Sequence, residues 1–109
     1  MKIAALVDDL FFSSKIAEVA RQTGGVVVFC RTADAVPADA DRICVDLNAS
    51  AFDALDAIRR LASTHKAPIT AYLSHVQTEL AQRAAASGAE VLPRSAFVQR
   101  LPALFTPDA

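Results

Sequence analysis

Short apolar runs alternate along the chain with longer segments in which apolar residues recur at the helical period. The short runs have the length and the β-branched composition of buried strands, and the longer segments are typical of amphipathic helices. Strict alternation of strand and helix indicates a parallel sheet with helices on both faces. We therefore expect one α/β domain over residues 1–109, a flavodoxin-like three-layer α/β/α sandwich with strand order 2-1-3-4-5. The five strands are predicted at residues 3–7, 26–30, 43–47, 69–73 and 91–92.

Residues with strong terminal preferences mark where the helices end. Gly24-Gly25 is expected to stop the first helix, and Gly88 suits the position that follows the end of the third. Pro102 is expected to interrupt the last helix, because proline lacks the backbone N–H that a helix interior uses. The four longer helices are predicted at residues 11–22, 51–63, 78–87 and from 96 onward.

Two hydroxyl residues and one polar segment complete the pattern. Thr78 and Ser95 are expected to be N-caps, because their side chains can accept from the first unpaired N–H groups of a helix. Residues 31–41 are polar and are broken by Pro37, so they are expected to hold at most one or two helical turns. The second helix position of the fold is therefore predicted to be shortened.

Composition and charge narrow the classes of function. Hydrophobic residues make up 53% of the chain, enough for a packed core, and the net charge is −1, which disfavours nucleic-acid binding by bulk electrostatics. No apolar run approaches the ~20 residues of a membrane span, and the start of the chain does not read as a secretory signal. Cys30 and Cys44 lie inside apolar runs without the spacing of a zinc site. We expect a cytoplasmic protein that binds neither nucleic acid nor membrane.

Polar residues follow the carboxyl ends of four predicted strands, where open parallel sheets bind their ligands. Three carboxylates on neighbouring strand ends raise carboxyl pKa values or recruit a cation, and helix capping is the simpler interpretation of the first two. A hard cation held by carboxylates, a carbonyl and waters is typical of magnesium. A hydroxyl and a guanidinium beside them could hold a phosphoryl group on a carboxylate. These residues are Asp8-Asp9, Asp46 with Asn48, Ser74-His75 and Arg94.

These residues resemble the response-regulator receiver domain of two-component signalling over essentially the whole chain. That family has an acidic pair after strand 1, an acceptor aspartate at the end of strand 3, a Ser or Thr after strand 4 and a lysine after strand 5. The corresponding segments here are AALVDD at residues 4–9, ICVDL at 43–47, PITAYLS at 68–74 and GAEVLPR at 88–94.

The resemblance implies a phosphoryl-accepting signalling domain rather than an enzyme, and we expect this domain to stand alone. Asp46 would be the phosphoacceptor, Ser74 would bond a phosphoryl oxygen, and Arg94 would stand where the family has lysine. A histidine kinase or phosphotransfer protein would supply the phosphoryl group, a downstream protein would read the result, and homodimer formation stays open. The Mg²⁺ ligands that the resemblance implies are Asp8, Asp9, Asp46 and the backbone carbonyl of Asn48.

Several positions depart from the family pattern and keep alternatives open. Arg94 is bulkier than lysine and donates at fixed angles, so it could instead be a built-in countercation for the acidic cluster. Pro93 precedes the basic residue instead of following it, Val91 takes the place of the family's aromatic residue, and His75 stands where the family prefers a small residue. The main alternative is a phosphorylation-independent interaction module with a receiver fold. A small phosphatase is the weakest hypothesis, because no separate base or glycine-rich phosphate loop is present.

Overall fold

The computed structural model describes residues 1–74 and 77–107, which form five strands, four α-helices and one 3₁₀ turn. Every predicted strand and helix is present, with most bounds within one or two residues of the prediction. The polar segment 31–41 holds only the 3₁₀ turn Ala33–Ala35, as expected. The strands are β1 Lys2–Leu6, β2 Val26–Phe29, β3 Arg42–Asp46, β4 Ile69–Leu73 and β5 Ala89–Pro93. The helices are α1 Leu10–Thr23, α2 Ala54–Thr64, α3 Thr78–Ala86 and α4 Arg94–Leu104.

The strands form one parallel sheet in the order β2-β1-β3-β4-β5, which confirms the predicted topology. The three inner strands are covered on both faces, and so they read as continuous apolar runs in the sequence. Because β1, β3 and β4 are neighbours, their carboxyl ends meet at one edge of the sheet. The polar residues that follow these strands are thereby brought together.

Two core layers lie on the two faces of the sheet, because successive strand side chains point in opposite directions. Ala4 and Val45 belong to the layer that packs against α2, whereas Ala5, Cys44 and Tyr72 belong to the layer that packs against α1 and α4. Burial raises the pKa of the Cys44 thiol to about 12, and Cys30 and Cys44 are both free and buried. The second layer is the one that lies beneath the site described below.

Two helix ends agree with the sequence prediction. Gly24 ends α1 with φ 75°, a left-handed conformation that glycine adopts without a steric penalty. Gly88, with φ 118°, follows the Ser87 C-cap of α3.

Three helix starts differ from the prediction. The second predicted helix begins at Ala54 rather than at residue 51, because Asp53 is its N-cap and accepts from the N–H of Asp56 at 3.1 Å. Thr78 is the first residue of α3 rather than its cap, and Gln77 holds the cap position without a side-chain bond. Ser95 lies inside α4, which starts at Arg94 directly after β5.

Pro102 does not interrupt the last helix, which continues to Leu104. The guanidinium of Arg42 explains why the last turn is stable. It donates to the carbonyl oxygens of Ala103 at 2.8 Å, Leu104 at 2.9 Å and Thr106 at 3.1 Å. The carbonyl of Ala103 also accepts from the N–H of Thr106 at 3.1 Å, and the cation adds its bonds at the negative end of the helix, as a C-terminal cap would.

None of the described helices combines the length and the apolar character that a bilayer-spanning segment requires.

Candidate functional site

A polar cavity of about 170 Å³ lies at the carboxyl ends of β1, β3 and β4, beside the start of α4. It brings together every described residue that the sequence singled out, and His75 lies outside the described residues. The cavity also contains one residue that the sequence analysis did not single out, Tyr72. The lining residues are Asp8, Asp9, Asp46, Asn48, Tyr72, Ser74 and Arg94.

Asp46 is the last residue of β3 and is only 6% exposed. Its Oδ1 accepts a hydrogen bond from the backbone N–H of Asn48 at 2.9 Å, which fixes the carboxylate against the following turn. No described residue donates to its Oδ2. Burial raises the pKa of the Asp46 carboxyl above its ordinary value, and the charges of Asp8 and Asp9 raise it further, against the opposing effects of the Asn48 bond and Arg94.

Asp8 braces the loop between β3 and α2. Its Oδ2 accepts from the backbone N–H groups of Ser50 and Ala51, both at 3.0 Å. These two amides therefore bond across to the end of β1 instead of starting a helix, which explains why α2 begins late. Asp8 is exposed on its other side, and no described residue donates to its Oδ1.

Asp9 is the N-cap of α1, the simpler of the two interpretations that the sequence allowed. Its Oδ1 accepts from the N–H of Phe12 at 3.1 Å. Its Oδ2 lies 3.7 Å from the guanidinium of Arg94. One oxygen of Asp9 is thus used by the helix, and the other faces a cation.

Arg94 lies at the rim of the cavity and is half-buried. Its guanidinium carbon is 4.5 Å from the centre of the Phe12 ring, a cation–π contact that holds it over the start of α1. Its separation from Asp9 is long for an ion pair, and such pairs near the surface contribute little. The guanidinium therefore lies beside one carboxylate of the cavity, and its roles as a countercation or as a phosphoryl ligand stay predictions.

Among the described residues, Asn48 forms hydrogen bonds to its neighbours through its side-chain amide rather than through its backbone carbonyl. Its Oδ1 accepts from the N–H of Ser74 at 2.7 Å and from the Ser74 hydroxyl at 2.9 Å. Its Nδ2 donates to Gln77 at 2.8 Å. Asn48 thus joins the turn after β3 to the end of β4 and to the start of α3. It already accepts a hydrogen bond from the Ser74 hydroxyl, the group that was predicted to bond a phosphoryl oxygen.

Tyr72 is the residue that the sequence analysis missed. It pairs in register with Asp46 on the neighbouring strand and lies in the aromatic layer beneath the cavity. Its ring stacks on Phe12 at 4.9 Å and on Phe97 at 4.3 Å between centroids. The signal was the one tyrosine of the chain, placed next to last in the predicted fourth strand.

The carboxylates share a cavity without forming a closed ligand set. Within residues 1–74 and 77–107, no group of three or more His, Cys, Asp or Glu side chains is arranged to hold a metal ion. The Mg²⁺ site expected at Asp8, Asp9, Asp46 and the Asn48 carbonyl therefore stays a prediction. The cavity itself is much larger than the space of about 30 Å³ that one water occupies in the liquid.

Comparison with known proteins identifies the fold. No protein-family model matches the sequence, and no curated protein matches it. Among solved structures, a BeF3-activated DrrB receiver domain is 18% identical with a TM-score of 0.77, over 94% of this chain and 92% of that one. A response regulator receiver domain from Rhodospirillum rubrum is 17% identical with a TM-score of 0.73, over 95% and 90%. The chain has the receiver-domain fold.

A third structure with the receiver fold bears on the chemistry of such proteins. It is a response regulator from Burkholderia pseudomallei, described as containing a phosphorylated aspartic acid, a calcium ion and citrate. It is 21% identical, with a TM-score of 0.79, over 96% of this chain and 66% of that one. The likeness confirms the fold that the four sequence segments predicted, and the roles of the individual site residues stay predictions.

Proposed function

We propose that this chain is a receiver-type signalling domain that accepts a phosphoryl group on Asp46. The observation that carries the proposal is the state of this carboxylate. It is buried at the end of β3, one oxygen is held by the N–H of Asn48, and the other receives no bond from a described residue. The cavity that it lines also contains the hydroxyl of Ser74 and the guanidinium of Arg94. The neighbours that carry phosphorylated aspartate or BeF3 support the same chemistry.

The transfer would proceed at Oδ2 of Asp46. This oxygen attacks the phosphorus of a phosphohistidine or of acetyl phosphate, forming an O–P bond. The P–N or P–O bond to the donor breaks, and the donor leaves with the electron pair. Asn48 keeps Oδ1 fixed, so that the attacking oxygen has a defined direction. A raised carboxyl pKa makes the carboxylate more basic than an exposed one.

The charge balance of the cavity favours a divalent cation. Three carboxylates and one guanidinium give a sum of about −2 when all are ionised, and a phosphoryl group adds further negative charge. Asp8, Asp9 and Asp46 each have one oxygen that accepts no hydrogen bond from a described residue, and hard oxygen donors of this kind suit Mg²⁺ with several retained waters. When bound, Mg²⁺ would lower the repulsion between the phosphoryl oxygens and these carboxylates.

The donor and the reader of the signal belong to the proposal as well. A histidine kinase or phosphotransfer protein in the cytoplasm would provide the phosphoryl group, and a downstream protein would bind the phosphorylated domain. The chain would not act as an enzyme on a separate substrate.

Acetyl phosphate with Mg²⁺, followed by intact mass spectrometry, tests the proposal directly. We expect the parent protein to gain one phosphoryl group and Asp46→Asn to gain none. The matched control is Asp34→Asn, an acid-to-amide change at an exposed position outside the cavity, which should gain one group like the parent. Absence of a mass increase in the parent at millimolar donor would overturn the proposal, as would equal uptake by Asp46→Asn.

A phosphorylation-independent interaction module is the second candidate, and specific contacts favour it. The guanidinium of Arg94 already pairs with Asp9 and covers Phe12, and the hydroxyl of Ser74 is already bonded to Asn48. Both groups that would bind a phosphoryl oxygen therefore already have partners without an anion. The same experiment separates the two candidates, because this one gives no mass increase in any variant.

Asn48→Ala is expected to prolong the lifetime of the phosphorylated protein. In the unmodified domain Ser74 donates to Asn48, so its hydroxyl must leave this partner before it can bond a phosphoryl oxygen. Removing the acceptor takes away a hydrogen bond worth about 1 kcal/mol, which corresponds to roughly 5-fold in an equilibrium. The decay of the mass signal after donor removal measures the effect, and Gln77→Ala, which leaves the Ser74 bond intact, is the control. A lifetime in Asn48→Ala no longer than in Gln77→Ala would contradict this competition.

A further inference from the structure

The hydroxyl of Tyr72 is the one buried side-chain polar atom among the described residues that has no hydrogen-bond partner. Tyr72 is only 2% exposed, so the bulk solvent does not satisfy this group. Buried polar groups nearly always have a partner, and each exception calls for an explanation. Tyr72 lines the cavity, so a ligand bound there would be the partner of this hydroxyl.

Tyr72 lies beside the proposed phosphoacceptor in the sheet. Asp46 and Tyr72 are partners in the parallel register of β3 and β4, and side chains of partnered residues leave the sheet on the same face. Neighbouring strands lie about 4.8 Å apart. Both residues therefore stand side by side at the edge of the sheet, and both line the same cavity.

The phenol ring is held rigidly in this position. Phe12 and Phe97 stack against it with interplanar angles of 26° and 24°. The centroids of Phe12 and Phe97 are 6.4 Å apart, so the three rings form one aromatic cluster, and this packing restricts the rotation of the phenol ring. A fixed donor of this kind is pre-organised for a ligand atom, since no rotation has to be frozen when the ligand arrives.

The hydroxyl stays protonated in this environment. Burial raises the pKa of Tyr72, and the negative charges of Asp46 and Asp9 raise it further. The group therefore offers a proton for donation and adds no negative charge to a cavity that already contains three carboxylates. A neutral hydrogen-bond donor therefore attracts an anion in this cavity without adding to the repulsion from the three acids.

We propose that Tyr72 is an oxyanion-binding residue whose hydroxyl donates to an oxygen of the phosphoryl group carried by Asp46. This inference rests on the proposed function and adds a donor that the sequence analysis did not predict. It also gives the unpaired hydroxyl a partner in the phosphorylated state. Ser74 and Arg94 would take other oxygens of the same group.

Tyr72→Phe isolates the hydroxyl, because the ring that stacks on Phe12 and Phe97 is retained. The probe is beryllofluoride with Mg²⁺, a phosphoryl mimic that is titrated against the parent and the variant. We expect the variant to bind it roughly 10-fold more weakly or worse, as the loss of a hydrogen bond to a charged group predicts. The lifetime of the aspartyl phosphate formed from acetyl phosphate should shorten in the same direction. Leu101→Met, a volume-conserving change in the same core layer, is the control and should match the parent.

A spectroscopic measurement separates binding from a packing role. The chain has one tyrosine and no tryptophan, so its tyrosine absorption band reports Tyr72 alone. Beryllofluoride should shift this band to longer wavelength in the parent and leave it unchanged in Asp46→Asn. If the parent takes up the phosphoryl group but its band does not move and Tyr72→Phe binds the mimic equally well, the inference is wrong while the proposed function stands. If the parent takes up no phosphoryl group, both are wrong.

Discussion

Phe97→Ala is expected to destabilise the domain by about 3–5 kcal/mol, the range measured for large aromatic residues cut to alanine in a core. Phe97 is 0% exposed, and its ring stacks on Tyr72 at 4.3 Å and lies 6.4 Å from Phe12. The change leaves a hole directly beneath the acidic cavity, between α4 and the sheet. A domain of this size has a total stability of about 5–15 kcal/mol, so a large part of it would be lost.

Urea unfolding of the parent and the variant measures this loss. The matched control is Phe11→Ala, the same substitution one residue before Phe12 on α1, because Phe11 is 69% exposed. Substitution there should change the free energy of unfolding by less than about 0.5 kcal/mol. Similar losses in the two variants would contradict the packing described for the aromatic layer.

Asp46→Asn is expected to make the metal-free protein more stable at neutral pH, by about 1 kcal/mol or more. In a domain of this size that corresponds to roughly 4–8 °C in Tm. The amide keeps the shape of the side chain and can still accept from the N–H of Asn48. It removes the buried charge and its repulsion with Asp8 and Asp9.

The raised pKa of Asp46 determines how the stability difference between the parent and Asp46→Asn changes with pH. Because the folded-state pKa of Asp46 is raised, ionisation of this carboxyl costs more in the folded state than in the unfolded state. The parent is therefore relatively most stable below the unfolded pKa of about 3.9 and loses that stability as the pH rises through the folded pKa. The advantage of Asp46→Asn should be largest near neutral pH and should shrink as the pH approaches 4.

Mg²⁺ provides the complementary measurement. If its dissociation constant is about 1 mM, then 10 mM Mg²⁺ stabilises the parent by roughly 1.4 kcal/mol, and the gap to Asp46→Asn should narrow. The control is Asp34→Asn, which should follow the parent at every pH and metal concentration. A loss of stability in Asp46→Asn that is independent of metal would show that Asp46 mainly holds the turn at Asn48, and it would count against a cation site here.

The fold was predictable because its signals are local and repeated. Each inner strand is a continuous apolar run, and Gly24 and Gly88 mark helix ends through their backbone conformation. The start of α2 was not predictable, because the amides of Ser50 and Ala51 bond to Asp8, 42 and 43 residues away. A rule based on neighbouring residues cannot detect a partner at that distance along the chain.

The candidate site was predictable to the extent that topology alone brings residues together. Residues that follow adjacent parallel strands must meet, so Asp8, Asp46 and Ser74 could be grouped from the sequence. The side-chain bonds of Asn48 to Ser74 and Gln77 depend on how the loops are folded. Tyr72 was missed because a strand residue reads as core, and only the register with Asp46 shows that it lies beside the predicted acceptor.

The end of α4, where Arg42 caps the last carbonyls, is a suitable point for attaching a label or a tether without disturbing the acidic cavity. Arg42 begins β3 and Asp46 ends it, so four residue steps of about 3.3 Å, roughly 13 Å along the strand, separate the backbones of these two residues. A fluorophore or a surface tether joined after Thr106 would therefore emerge at the opposite edge of the sheet. Immobilised in this way, the domain would present its cavity outward to a phosphoryl donor in flow.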